Sequence, residues 1–190
     1  AHKLMKPSAS AILIPADNVE GVLALVDQAF RTRGFRPWSK VLPAGYPLRR
    51  DEWFDFGVGL QTQANAVLIL PSDVESVFRV CVVLSSTLGD TPIVGLRRFM
   101  GMEPVMKLYR NGKPQWRDGH DDDLECKYPV PTDRPAGLSG PEEHGLPSGA
   151  LEMEDILGDA LRRYEAARRD PSSDLVWRSY LSRKSRLYEG

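Results

Sequence analysis

Two stretches of the chain follow one pattern. Ala11 to Phe30 (AILIPADNVEGVLALVDQAF) and Val67 to Ser86 (VLILPSDVESVFRVCVVLSS) each run from an apolar segment to a proline, an Asp within two residues, then Val-Glu and an apolar helical stretch. Each opening run is short enough for a buried strand and stops at Pro15 or Pro71, because proline has no N–H for a sheet ladder. Asp17 or Asn18, and Ser72 or Asp73, can accept from the orphan amides of the following helix, so an Asp here already has a structural task. The chain is therefore expected to contain two β-α units, with Ile12, Ile14, Leu68 and Leu70 in the centre of a sheet. Val19, Val22, Leu23, Val26 and Phe30 form one face of the first helix, which ends near Gly34. The second helix adds Val80, Val82 and Val83 to Val74, Val77, Phe78, Cys81, Leu84 and Leu88. An apolar surface running nearly all round predicts that it is central, or covered by the C-terminal helices or another chain.

RPWSKVL and WFDFGVGLQTQ follow the first unit as strand candidates, with turn-rich PAGYPLRRDE between them. PIVGLRRFM and PVMKLYRNGKPQW follow the second unit, and Asn111-Gly112 is the strongest hairpin signal in the chain. The order predicts an α+β fold: a ferredoxin-like, split βαβ, mainly antiparallel sheet with an added hairpin and two C-terminal helices. A thioredoxin-like arrangement competes, because PVMKLYRNGKP resembles the late hairpin of that fold, but its C-x-x-C redox motif is absent.

With 190 residues, 42% hydrophobic, the chain can bury one real core and fits one domain with appendages. Residues 1–10 read as a disordered start or cloning scar, 11–117 as the α+β core domain, 118–150 as an acidic Pro/Gly-rich loop and 151–190 as a C-terminal helical extension. In that extension Met153, Leu157, Ala160, Leu161 and Tyr164 share one helical face. A last helix, capped by Asp170, is expected to carry Trp177, Tyr180, Leu181 and Tyr188. Residues 117 to 160 hold twelve acidic side chains against three basic, and residues 162 to 190 eight basic against four acidic, so the sign of the charge reverses along the tail.

A net charge of -1 and a pI near 6.4 give no global attraction to nucleic acid or anionic membrane. No uninterrupted apolar stretch approaches the length of a membrane span, and two cysteines in unlike settings, Cys81 and Cys126, point to a reducing compartment rather than a disulfide framework. The expectation is a cytoplasmic protein.

Asp118 to Glu125 (DGHDDDLE) brings five carboxylates and a histidine into eight residues. It lacks the Gly and Glu positions of an EF-hand loop, and His120 and Cys126 have no second Cys/His pair for zinc. A flexible acidic loop also does not oppose two carboxylates across a cleft as glycoside chemistry requires. No metal and no cofactor is expected, and the run reads as an electrostatic recognition loop. Catalysis has little support: His2, His120 and His144 are the only histidines, no G-x-S-x-G elbow is present, Cys81 lies in an apolar helix, and GVGLQ is not a nucleotide loop. Arg97, Arg98, Lys107 and Arg110 are assigned to the solvated face or edge of the sheet, and the ribonucleoprotein signature of an RNA-binding sheet is missing, which argues against nucleic acid.

What remains is a non-catalytic protein-binding module of bacterial toxin-neutralising (immunity) or adaptor type. Its expected binding residues are Trp38, Trp53, Phe56, Tyr109 and Trp116 on an uncovered sheet face, with Asp118, Asp121, Asp122, Asp123 and Glu125 steering a basic protein partner. A homodimer is compatible with this reading. The competing reading is a small-molecule enzyme or ligand sensor with its site between sheet and linker, which a deep, convergent polar cavity would favour.

Overall fold

The structure, a computed structural model, describes residues 8–38, 54–58, 66–71, 77–119, 132, 141–169 and 177–183. Its elements are β1 (Ala9–Pro15), α1 (Val19–Thr32), β2 (Phe35–Trp38), β3 (Phe54–Val58), β4 (Ala66–Pro71), α2 (Val77–Leu88), β5 (Ile93–Arg98), β6 (Val105–Arg110), β7 (Lys113–Asp118), a 3-10 turn (Pro141–His144), α3 (Ala150–Arg169) and β8 (Trp177–Ser182). The class is α+β.

The strands form one sheet in the order β2-β8-β3-β4-β1-β5-β6-β7, and every described pairing is antiparallel. β1 and β4, the two apolar runs of the repeat, lie side by side near its centre, with Ile12 opposite Ile69 and Ile14 opposite Val67. Ile12, Ile14 and Leu68 are fully buried and Leu70 nearly so. A strand covered on both faces needs apolar residues at every position, which is why these runs show no alternation.

The two faces carry separate cores. On one, α1 and α2 cover Ile12, Ile14, Val67, Ile69 and Ile93 with Val26, Phe30, Phe78, Cys81 and Leu84. On the other, α3 lays Met153, Leu157 and Ala160 over Leu13, Leu68, Val94, Leu96, Met106 and Leu108. The sheet therefore has helices on both sides, and the expected uncovered face lies under α3. Asn18 caps α1, its side chain accepting from the Gly21 amide, and the helix closes at Arg33 with Gly34 at φ 87°. The first turn of the second repeat, residues 72–76, lies outside the described residues.

The second C-terminal helix is corrected to a strand. Trp177 to Ser182 form β8, inserted between β2 and β3. Tyr180 points toward α1, where its ring lies 4.7 Å from that of Phe30 and its hydroxyl donates to Asp27 at 3.1 Å. Leu181, next in sequence, is also fully buried. The spacing of Trp177, Tyr180 and Leu181 suits a helical face equally well, so their period could not separate the two states.

The outer side of α2 is not covered by α3, which packs on the opposite face of the sheet; Val82 is 38% exposed. Among the described residues, no helix is long and apolar enough to cross a membrane.

Candidate functional site: the β6–β7 hairpin and the roots of the acidic loop

The hairpin is built from its turn outward. Asn111 (φ 52°) and Gly112 (φ 76°) both adopt left-handed backbone, the conformation that lets a two-residue turn match strand twist. Three contacts tie this turn to the end of α2: the Asn111 amide donates to Gly89 O at 2.9 Å, the Asn111 side chain to Asp90 at 2.9 Å, and the Gly112 amide to Ser85 Oγ at 2.9 Å. The hairpin is thus held firmly at its tip, and β7 becomes the last strand of the sheet.

The acidic run leaves the C-terminal end of β7, and its root is fixed by specific bonds. Arg117 Nη1 donates to Gly119 O at 2.7 Å. Gly119 has φ 99°, and a Cβ there would stand 2.5 Å from Pro104 O, so both conformation and space call for glycine. Asp118 Oδ2 accepts from the Ala150 amide at 2.7 Å, supplying one of the acceptors that the first turn of α3 needs. Gly149, just before α3, leaves the room: a Cβ on it would lie 2.7 Å from that carboxylate oxygen. Ser148 completes the cap, its amide and hydroxyl both donating to Glu152 Oε2 at 2.7 and 2.8 Å. Farther along, Thr132 O accepts from Trp116 Nε1 at 2.9 Å. The chain between Gly119 and Thr132, which carries the acidic run, is therefore rooted at both ends on β7.

Asp118 is the first acidic residue of the run and the capping carboxylate of α3. Asp118→Ala is expected to cost about 1–2 kcal/mol, as for other caps lost to alanine, and Asp118→Asn, which keeps an oxygen, clearly less; urea unfolding compares the two.

The remaining binding candidates separate. Tyr109 and Trp116 are buried at 3% and 6% exposure, on opposite faces of the sheet. Tyr109 stacks on Phe78 under the α1/α2 layer, whereas Trp116 packs with Leu146, Ala150 and Met153 under α3. They do not form one open aromatic surface. Trp38 and Phe56 belong to β2 and β3, whose side chains at these positions are outside the described set; Trp53, Asp121, Asp122, Asp123 and Glu125 lie outside the described residues altogether.

Three basic residues assigned to solvent are instead buried: Arg97 at 7%, Arg98 at 8% and Lys107 at 4%. Neighbouring positions on a strand face opposite ways, so Arg97 and Arg98 enter different cores. Arg97 lies 4.8 Å from the ring centroids of both Phe78 and Phe99, and Lys107 Nζ stands 4.2 Å from that of Phe78. A ring face attracts cations, which helps retain these charges inside. Arg98 crosses to α3 and pairs with Glu154 at 2.9 Å.

Cys81 sits beneath these cations. Burial pushes its thiol well above the ordinary range, opposed only in part by the Lys107 ammonium, so it stays protonated at neutral pH and is a poor nucleophile. Among the described residues no group of three His, Cys, Asp or Glu side chains could hold a metal ion. The chain matches no protein-family model, and comparisons with curated proteins and with solved structures find no match.

Proposed function

We propose that the chain is a non-catalytic protein-binding module, of toxin-neutralising or adaptor type, whose recognition element is the acidic loop. The observation that carries this reading is the rooting of that loop at both ends on β7, through Asp118 and Gly119 on one side and Thr132 on the other. On this reading the charge carried between these two anchors acts beside β7, where long-range attraction steers a basic partner and sets its register. Asp118 serves this arrangement as an anchor, leaving Asp121, Asp122, Asp123 and Glu125 as the recognition charges. A cytoplasmic setting belongs to the same proposal.

The strand order β3-β4-β1-β5, with α1 following β1 and α2 following β4 on one face, supports reading the central part as a ferredoxin-like, split βαβ unit. On that reading β6–β7 and β8–β2 are additions at its two sides. The alternative of an enzyme or sensor with its site between sheet and linker has less support, because Trp116, Leu146, Ala150 and Met153 pack together where the linker meets the sheet.

The test begins with capture from the native source and identification of the bound protein by mass spectrometry. Stopped-flow association is then compared for the wild type and the triple variant Asp121→Asn, Asp122→Asn, Asp123→Asn. Steering predicts association slowed by roughly tenfold or more at low ionic strength, with the difference shrinking as salt rises and with folding stability unchanged. Association at the same rate in both proteins excludes the loop as the recognition element. Calorimetry with calcium, magnesium and zinc covers the remaining possibility: micromolar binding abolished by the same substitutions would make the loop a metal site.

A further inference from the structure

Among the described residues the most exposed large apolar side chains are Leu151 at 75%, Met100 at 60% and Met102 at 45%. Single apolar residues are ordinary on any protein surface. These three are set apart by where the fold puts them. Met100 and Met102 belong to the connection from β5 to β6, and Leu151 to the first turn of α3. Met106, at the start of β6, pairs with Asp118 at the end of β7, and Gly119 backs directly onto Pro104 O. On its other side Asp118 accepts from the amide of Ala150, the neighbour of Leu151. A further tie runs from Arg98, two residues before Met100, to Glu154, one helical turn beyond Leu151. The β5–β6 turn and the start of α3 thus flank the point where the acidic run leaves β7.

The methionine turn is fixed in place. Gly101 takes φ 76°, the Met102 amide donates to Phe99 O at 3.0 Å, and the Met100 amide donates to Ser8 Oγ at 2.8 Å. Side chains this exposed add little to folding stability, which leaves their apolar surface available to another molecule. The charge around them has one sign. Phe99 to Pro104 and Ala150 to Leu157 contain no Lys, Arg or His, whereas Glu103, Glu152 and Asp155 are exposed. Arg98 is turned inward onto Glu154, and Arg117 onto Gly119 O.

We propose that Met100, Met102 and Leu151 form the apolar half of a binding surface whose acidic half is the loop, and that the partner presents a basic amphipathic segment. Its lysine or arginine side chains face the carboxylates, and its apolar side chains lie on the two methionines and Leu151. The inference rests on the protein-binding reading and names the chemistry of the partner. Exposed carboxylates attract and orient a basic segment but add little affinity, while apolar contacts that lose their water hold it. Methionine suits that task, because its unbranched side chain and polarisable sulfur adapt to apolar groups of different shape. A basic segment without an apolar face is attracted and soon lost; an acidic one with the same apolar face is repelled.

Methyl NMR on the full chain, labelled at its methionine methyls, tests this: Met100 and Met102 report on the surface, and the buried Met106 and Met153 on the core beneath α3. The probe is a synthetic amphipathic peptide of leucine and lysine at helical spacing. Its controls are a lysine-serine peptide of equal charge and a leucine-glutamate peptide with the same leucine pattern. The Met100 and Met102 signals should move with the leucine-lysine peptide alone. The triple variant Met100→Ser, Met102→Ser, Leu151→Ser should bind that peptide at least roughly tenfold more weakly and the lysine-serine peptide unchanged. Its Met106 and Met153 signals, kept in place, show that it folds. Leu25→Ser, on α1 across the sheet, should change the binding of neither peptide. Equal binding of both basic peptides with the Met100 and Met102 signals unmoved would overturn the apolar surface and leave the acidic-loop reading standing. Failure of both basic peptides to bind would overturn the surface together with the reading it rests on. Equal shifts with the leucine-glutamate peptide would overturn the basic character of the partner.

Discussion

Replacing Glu154 by alanine is expected to destabilise the protein by about 3–5 kcal/mol, the range for breaking a buried ion pair from one side. Arg98 Nη1 and Glu154 Oε1 are 2.9 Å apart, and their side chains are only 10% and 9% exposed. The cost arises from what is left behind: Arg98 cannot shed its proton, so the guanidinium stays charged between β5 and α3 after its carboxylate is gone. Replacing both partners, Arg98→Met with Glu154→Leu, removes the charge as well as its partner and should recover most of the loss. Arg163 offers the contrast. It pairs with Asp159 at 3.1 Å with both side chains about half exposed, and Arg163→Ala should cost no more than about 0.5 kcal/mol. Urea unfolding measures all three; a loss below about 1 kcal/mol for Glu154→Ala would show that water reaches the pair.

The same pair marks where sequence reasoning stopped. Both β-α units, the Asn111-Gly112 hairpin and the apolar face of α3 followed from local pattern, because each is decided by residues close together in the chain. Burial of Arg97 and Arg98 is decided elsewhere. With one helical layer one of the two arginines of GLRRFM would lie on the solvated face; with a layer on each side both enter cores. There they meet Phe78 from α2 and Glu154 from α3, one before and one long after β5 in sequence. Nothing local to RRFM announces that second layer.

β8 shows the same limit in another form. A strand inserted between two others and covered on both faces loses its alternation, and Tyr180 and Leu181 are both buried although they point to opposite sides. Apolar residues at 177, 180 and 181 then imitate a helix. The site was obscured differently: the acidic run was visible as a cluster of charge, but its first carboxylate could be recognised as the cap of α3 only once β7 was placed beside Ala150. Tyr109 and Trp116, both in the hairpin, were grouped as one aromatic surface. The irregularity in register at Leu108/Tyr109 lies between them, and their side chains enter separate cores.

Gly95→Ala is expected to destabilise the protein by about 1–3 kcal/mol, the usual cost of overpacking a filled core. Gly95 sits in β5 between Ile12 of β1 and Lys107 of β6, on the face that α2 covers. A Cβ at this position would stand 2.5 Å from Cys81 Sγ and 3.4 Å from the Phe78 ring. The second distance is ordinary contact; the first requires movement. Cys81 is wholly buried and its helix is packed on β5, so the sulfur cannot swing into solvent. The absence of a side chain at Gly95 is what lets α2 approach closely enough to set Phe78 under Arg97 and Lys107. Cys81→Ala deletes the obstructing atom, and alone it should cost about 1–2 kcal/mol through the small void it leaves. Combined, Gly95→Ala and Cys81→Ala fill that void with the new methyl, so the double variant should be at least about 1 kcal/mol more stable than the sum of the single losses. Strict additivity in this cycle, measured by urea unfolding, would mean that α2 shifts freely on β5 and that the close approach at Gly95 does not position the buried cations.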